Sequence, residues 1–496
     1  MPVQPNHIEF IRQWRNAQIG VLRQSEPITK EQQIEYFDNH IWPDMNKKYP
    51  ENILLSILEG NTLIGYGGLV HIAWVHRRAE VSFLLKPEYT VDQDVYSRYF
   101  TVFLQLIREL AFQELGFQRL HTETYASRSN TISTLENTGF VREGLMRKHV
   151  IKNGKTEDSL IHGCLSSELF RYYLRKKLKN ILITSASRKV PLIKEMGKAA
   201  RRINPDSKVV AGDIDKNALS KYVADDYWCM PRTGDSELAA LVEGCKKHGI
   251  SVVYPSRDGE LLFWAKNRSL FARHGIDILI SSLDSTNNCL DKLAFYGYCR
   301  EKNLPCIPTA QYLDSLDADS YVVKERYGAG SHKIKLNCSR DEALQHGQLL
   351  ENPIYQPFVK GKEISIDAWV YSNHLVKGLI MRTRDIVVGG ESQVTTTFSD
   401  PEIEAEALKA IEHLQLSGHV VMQAIVDNDG NFWIIECNPR FGGASTISIK
   451  AGLDSLYWSL LGAIGVDVSD IPFEKIEGQV RQVRVPYDIS FFSTKF

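Results

Sequence analysis

The sequence predicts a multidomain chain of α/β and α+β type, and three observations lead there. Its 496 residues exceed what one core normally serves, since domains usually run about 100 to 200 residues, so two to four domains are expected. From Ile181 to Ile280 short, mostly apolar strands are separated by helical stretches, the pattern of an open parallel sheet. On either side of that region the pattern differs: strands and helices alternate around one long amphipathic helix before it, and hairpins with mixed elements follow it from about residue 290.

In chain order, strands are expected at Ile53 to Leu58, Leu63 to Val70 and Ala79 to Leu85, then a helix near Tyr96 to Leu115 and a strand from Leu120 to Tyr125. Arg119 to Asn130, followed by Leu135 to Gly144, reads as strand, short helix with Gly139 as its C-terminal cap, and second strand. The basic stretch Phe170 to Asn180 reads as a helix end with a solvated charged face, and it marks the clearest seam. Strands at Ile181 to Thr184, Lys208 to Ala211, Ser251 to Tyr254 and Ile276 to Ile280 then build the parallel sheet.

Charge is almost balanced, formally −1, with acids and bases interspersed, which excludes a nucleic-acid surface and a polybasic membrane anchor. The eight cysteines show no paired CxxC spacing, which argues against zinc and against a disulfide framework and fits a reduced, cytoplasmic compartment. No leader-like start and no apolar run of about 18 residues is present. A soluble enzyme acting on small molecules, without nucleic acid or membrane as partner, is the expectation; whether it forms a homo-oligomer stays open.

The most informative stretch is Trp433 to Gly443. Strand side chains alternate faces, so Glu436, Asn438 and Arg440 point one way and Ile435 the other. Val420 to Val426 reads as the partner strand, joined through Asp427-Asn-Asp-Gly430, a hairpin signal. Pairing Val426 with Asn431 puts Gln423 on the face of Glu436. One carboxylate and two amide oxygens there suit Mg2+, a hard cation that keeps phosphate oxygens as further ligands. Upstream, Tyr321 to Lys324 is a β-branched strand ending in a lysine, and Tyr327 to Ser331 is a small-residue loop whose backbone could approach phosphates closely.

Taken with Ile354 to Asp367 and Met381 to Arg384, these motifs resemble, in family order, the ATP-grasp superfamily, in particular ligases related to the large subunit of carbamoyl phosphate synthetase. The resemblance covers about residues 180 to 490; Ile181 to Lys189, Tyr254 to Glu260 and Asp291-Lys292 look like landmarks of the preparatory domain. It implies that Lys324 contacts nucleotide phosphates under a loop of Gly328, Gly330 and Ser331. Gln356, Pro357, Phe358 and Val359 would offer backbone groups to adenine, and Glu363 would hold the ribose. Gln423, Glu436 and Asn438 would hold Mg2+ or Mn2+, while Arg382 and Arg440 stabilise the transferring phosphoryl group or the acyl phosphate. The implied reaction converts ATP and a carboxylate to an acyl phosphate, which an amine attacks to give amide, ADP and phosphate. Two departures are Pro357, where the family often has an acid, and the opening loop Thr184 to Ser187, which lacks glycine.

Residues 1 to about 172 resemble GNAT acetyltransferases, through Trp14-Arg15-Asn16, Gly65-Tyr-Gly-Gly68 and the Arg119 to Gly144 segment, and within them enzymes that acetylate nucleotide-linked amino sugars. The resemblance implies acetyl-CoA, with Leu84, Leu85 and Asn130 near it and Glu80 as general base; Glu80 also reads as an ion-pair partner of Arg77 or Arg78. His71, His121 and His149 read as structural or surface residues. Where the family places a glycine-containing pyrophosphate loop, Val91 to Arg98 has no glycine and adds Asp92 and Asp94. The expected organisation is a GNAT-like domain at 1–172, a linker at 173–180, a pre-ATP-grasp domain at 181–290 and an ATP-grasp domain at 291–496. Two functions follow: a ligase with an active acetyltransferase that works on amino acids or nucleotide-linked amino sugars, or a ligase whose first domain only binds substrate or partner. A carbamoyl phosphate synthetase proper is disfavoured, because a single ATP-grasp unit and no glutaminase motif are seen.

Overall fold

The computed structural model describes residues 1–22, 24–152, 154–328, 333–485, 488 and 490, with the backbone alone for 169–173. The chain divides into two compact units, Met1–Tyr173 and Leu174–Phe496.

The first unit is built on strands β1 (Ile53–Glu59), β2 (Thr62–Ala73), β3 (Arg78–Leu85), β4 (Arg119–Tyr125), β5 (Val141–Lys152) and β6 (Lys155–Leu165), in the order β1-β2-β3-β4-β6-β5. β3 and β4 run parallel but pair only from Arg78–Arg119 to Glu80–His121; beyond that point the two strands part. The helix Gln93–Glu109 lays Tyr96, Phe100, Phe103, Leu104 and Ile107 on the sheet, a spacing that keeps them on one helical face. Close strand approach explains the glycines of β2: a Cβ on Gly67 would lie 2.3 Å from the Ser82 carbonyl, and Gly68 has φ 146°. Trp14-Arg15-Asn16 turns out to be scaffolding. Asn16 bonds both the N–H and the carbonyl of Ile28, at 2.9 and 2.8 Å, while Arg15 donates to the Tyr66 hydroxyl at 2.9 Å.

Residues 173–177 are the last part of the helix Ser166–Lys177, and only Leu178, fully buried, and Lys179 separate it from the next strand. That strand, β7 (Asn180–Ile183), is the centre of a sheet with β8 (Val209–Asp213), β9 (Asp226–Cys229), β10 (Ile250–Tyr254) and β11 (Asp277–Ile278), ordered β11-β10-β7-β8-β9 and parallel throughout. β9 has no counterpart among the expected strands. As an edge strand it has one neighbour, so Asp226-Tyr-Trp-Cys229 stays half exposed and lacks the apolar run of the inner strands.

Next come β12 (Tyr321–Glu325), β13 (Lys335–Cys338) and β14 (Pro353–Pro357), an antiparallel sheet ordered β13-β12-β14. The last sheet contains β15 (Gly361–Val370), β16 (Val376–Thr383), β17 (Ile386–Val388), β18 (Glu391–Phe398), β19 (Gly418–Asp427) and β20 (Phe432–Asn438), ordered β17-β18-β16-β15-β19-β20, with β21 (Arg481–Val483) on β18. Its two faces differ in kind. One carries Ile364, Ile366, Ala368, Leu379, Met381, Val420, Met422 and Ala424, buried with Ala407, Ala410 and Ile411 of the helix Pro401–His413. The other face, by strand alternation, carries Glu363, Asp367, Arg382, Gln423, Glu436 and Asn438.

The hairpin register departs from the expected one. Val426 pairs with Phe432 rather than Asn431, which would place Gln423 opposite Ile435 and on the wrong face. A bulge between Gln423 and Ala424 leaves Ile435 as the extra residue and brings Gln423 directly opposite Glu436. Among the described residues, no helix is long and apolar enough to cross a membrane.

Candidate functional site

The polar face of the last sheet is tied together by its own residues. Arg384 is ion-paired with Glu363 and donates to the Gly390 carbonyl at 2.8 Å. With one orientation of its amide, Gln423 donates to Glu436 Oε1 at 2.6 Å and accepts from Arg384 Nη1 at 2.9 Å; in the other, its oxygen faces the Glu436 carboxylate, a repulsion that a cation between them would relieve. Asn438 Nδ2 lies 3.2 Å from Glu436 Oε1, so all three expected metal-facing side chains converge. One carboxylate and two amides make too weak a set to form a protein-only cage, and they do fit Mg2+ delivered with phosphates.

Lys324, on β12, is buried, and burial together with the Lys292 charge pushes its pKa down while Glu436 and Glu363 hold it up. Lys292, seen in the sequence only as a landmark, is thus a second lysine of the same site, and its Nζ donates to the Gly328 carbonyl at 2.8 Å. Asp291 places it: this carboxylate caps the helix Lys292–Glu301 through the N–H groups of Leu293 and Ala294, and it takes the Arg326 guanidinium at 2.7 and 2.5 Å. Gly328 has φ 113°, a conformation suited to glycine. Gly330 and Ser331 lie outside the described residues.

The segment expected to face adenine is only partly a strand, since β14 ends at Pro357 and Phe358 and Val359 follow it. Gln356 turns its side chain inward, donating to Thr309 Oγ1 at 2.7 Å, and Phe358 N–H is taken by the Ser320 carbonyl at 2.9 Å. Pro357 has no N–H to offer and that of Phe358 is taken, so this stretch has fewer backbone donors for adenine than the resemblance implies.

Both arginines are held by carboxylates that sequence reasoning gave no role. Arg382, 4% exposed, donates through Nε to Asp367 Oδ2 at 2.6 Å; Asp367 also accepts from Ser445 and, at 2.7 Å, from Ser448, and His419 Nε2 stands 3.4 Å away. Despite complete burial, those cations and hydrogen bonds hold the Asp367 carboxyl well below the usual range. Arg440 is gripped by Asp258, Nε to Oδ1 at 2.6 Å and Nη2 to Oδ2 at 2.5 Å, which joins β20 to the head of the helix Asp258–Ala272. No short motif marks a residue whose work is to hold another residue, so Asp367 and His419 carried no signal in the sequence.

In the first unit, Glu80 sits directly across from His121 where β3 and β4 part, and it lies 4.0 Å from His71 Nε2. Among the described residues His121 Nδ1 is buried without a hydrogen-bond partner, and burial lowers the ring's pKa. Leu84 and Leu85 spend their side chains in the two cores flanking the sheet, and the Leu85 carbonyl accepts from Gln18 at 2.7 Å. Asn130 donates to Gln93 at 2.9 Å, bridging two helices. Asp92 caps the helix Gln93–Glu109 by accepting from the N–H groups of Asp94 at 2.9 Å and Val95 at 3.2 Å. A carboxylate of the chain therefore occupies the helix start to which the resemblance assigns the pyrophosphate of CoA.

Comparison with known proteins agrees with both halves. Sequence models match at residues 3–161 the acetyltransferase (GNAT) domain, at 181–279 the N-terminal domain of PylC-like proteins, and at 350–486 the ATP-grasp domain in the biosynthetic pathway with the Ter operon. The chain thus carries, in order, a GNAT acetyltransferase domain, a PylC-like N-terminal domain and an ATP-grasp domain. Among solved structures, biotin carboxylase from Campylobacter jejuni, complexed with β,γ-ATP, aligns with TM-score 0.50 and 16% identity over 62% of this chain and 75% of its own. The biotin carboxylase domain of the Hydrogenobacter thermophilus 2-oxoglutarate carboxylase, solved with MgADP and bicarbonate, gives 0.51 and 17% over 62% and 74%. The L-amino acid ligase of Bacillus licheniformis gives 0.50 and 17% over 62% and 80%. At such identities the likeness is one of fold. No curated protein matches the sequence.

Proposed function

We propose that the chain is an ATP-dependent carboxylate–amine ligase. The observation that carries this reading is the convergence of Lys324 and Lys292 with Glu436, Gln423 and Asn438, two cations facing a hard-cation ligand set. ATP lies between them, its phosphates against both lysines and Gly328, its ribose at Glu363, its adenine at the backbone of 356–359. Mg2+ held with the phosphates by Glu436, Gln423 and Asn438 supplies charge neutralisation. A substrate carboxylate oxygen attacks the γ-phosphorus and ADP leaves; Arg382 and Arg440, fixed by Asp367 and Asp258, face the charge that develops. An amine nitrogen then attacks the acyl carbon, phosphate departs, and the nitrogen loses a proton. Amino acids and nucleotide-linked amino sugars are the substrate classes we favour, in a reducing, cytoplasmic setting that suits eight free thiols, with domains at 1–172, 181–290 and 291–496. Phosphorus NMR with ATP, Mg2+ and a panel of acids and amines tests it: acid-dependent ADP and phosphate support the reading, and AMP with pyrophosphate, or no turnover with any pair, refutes it. Lys324→Ala should raise the KM for ATP by about 10-fold or more, since a desolvated charge contact is worth about 1.5–3 kcal/mol; unchanged kinetics would remove Lys324 from the phosphate site.

For the first domain the Asp92 cap favours a binding module over an acetyltransferase. Titration calorimetry should give an acetyl-CoA Kd weaker than about 1 mM, and Asp92→Gly, which costs the helix only about a few tenths of a kcal/mol, should tighten it. Micromolar binding by the native chain would restore the acetyltransferase reading, with Glu80 and the neighbouring His121 as its base.

A further inference from the structure

Arg384 lies one step past Ile364 and Thr383, the last paired residues at that end of β15 and β16, and it is ion-paired with Glu363. Its side chain is 10% exposed, against 41% for that of Glu363. Nη1 donates to Glu363 Oε1 and, with the Gln423 amide turned toward it, to the Gln423 oxygen at 2.9 Å; Nη2 holds the Gly390 carbonyl at 2.8 Å. One guanidinium thus bridges the carboxylate assigned to the ribose and an amide assigned to the metal. In ATP the phosphates join the ribose to the metal, so a triphosphate that spans these two places runs past Arg384. The charges agree. Lys324 and Lys292 belong to other elements, and this sheet face would meet a polyanion with two carboxylates, Glu363 and Glu436. A metal ion offsets Glu436, and Arg384 offsets Glu363. The Gln423 amide links the two. Turning its oxygen to Glu436 and a metal takes an acceptor from Arg384, and it brings the amide nitrogen to 3.4 Å from Glu363 Oε1, the oxygen that Arg384 holds. Metal binding therefore loosens Arg384 at both contacts.

We infer that Arg384 is a phosphate-binding residue of the nucleotide site: paired with Glu363 when no phosphate is present, it passes to the phosphates of MgATP and leaves Glu363 to the ribose hydroxyls. A guanidinium suits the move, since its planar fork fits both a carboxylate and a phosphate. A nucleoside must compete with Arg384 for Glu363 and brings nothing to take the arginine, so the site discriminates against ligands that lack phosphate. This inference rests on the ligase reading and adds to its site the residue that couples ribose binding to phosphate binding.

Titration calorimetry of the full chain with MgADP and with adenosine tests it. Arg384→Gln should weaken MgADP binding by about 10- to 100-fold, the loss of a charged hydrogen-bond partner. The same variant should bind adenosine about 2- to 5-fold more tightly, because a partly exposed ion pair no longer competes. Opposite signs separate a phosphate ligand from a strut, whose loss weakens both ligands together. A loss for MgADP below about 3-fold, or a comparable loss for adenosine, overturns the inference. Glu363→Gln gives a second measurement that does not depend on the first variant folding. With magnesium tripolyphosphate, which has no ribose, as the probe, it should tighten binding by about 2- to 5-fold by releasing Arg384. That gain should vanish in the double variant, which leaves neither charge unpaired; no gain, or a gain that persists there, overturns the inference. Native MgADP binding alongside a failed test leaves the ligase standing, whereas a native chain that binds no MgADP ends both.

Discussion

Glu436→Gln is expected to lower ATP turnover by at least about 10²-fold, the loss seen when one fixed electrostatic stabiliser of a transition state is removed. Glu436 is the carboxylate of the Gln423, Glu436 and Asn438 set, so its replacement leaves three neutral amides to meet a divalent cation. Size is nearly conserved and the core face of β20 is untouched, so the thermal unfolding transition should stay within a few degrees. The loss should be partly relieved by raising Mg2+, because the phosphates still bring ligands of their own. Full activity in the variant would exclude Glu436 from the metal site. A variant that fails to fold would instead show that the Gln423–Glu436 contact matters for the hairpin itself, and circular dichroism separates the two.

The second large effect is on stability. Asp367 is completely buried and is the shared partner of Arg382, Ser445 and Ser448, with His419 adjacent. Asp367→Asn keeps the shape and removes the charge, stranding a guanidinium that is 4% exposed. Breaking one side of a buried pair typically costs about 3–5 kcal/mol. The calorimetric transition of the second unit should therefore move down by several degrees, while that of the first unit stays in place. The sign of the pH dependence follows from the depressed carboxyl. Its contribution is fully present above the ordinary carboxylate pKa of about 4 and is lost as acid protonates the unfolded chain first. In the variant, that part of the acid destabilisation should vanish; an unshifted transition at neutral pH would mean that the network is dispensable.

Much of the architecture could be read from the chain because its inner strands are runs of apolar residues. Ile181 to Ile183 and Ser251 to Tyr254 are buried on both faces, and burial on both faces leaves a continuous signal. β9 left none, since an edge strand has one neighbour and tolerates Asp226. The metal-facing row was legible for a related reason: alternation fixes which residues share a face, and Glu436, Asn438 and Gln423 do. What was not legible is the route by which they meet. The expected pairing assumed an unbroken ladder, and backbone hydrogen bonding chose a different turn and a bulge. Lys292 and Arg384 were visible as motif residues without roles, because the partners that give them roles, Gly328 and Glu363, come from other elements. Asp92 was visible as a departure, and only the two N–H groups it accepts from turn that departure into a physical obstacle.

The extra residue at Ile435 also bears on how this protein could be altered. The tip at Asn428 to Gly430 lies on the far side of the bulge from Gln423 and Glu436. A peptide grafted into that tip would disturb pairing at Val426 and Phe432 first, and the irregularity at 423–424 is where a slipped ladder can come back into step before it reaches the working pair. The hairpin end is thus an insulated attachment point for a tag or reporter, whereas a change that forced Ile435 into the ladder opposite Gln423 would turn the acid and the amide to opposite sides.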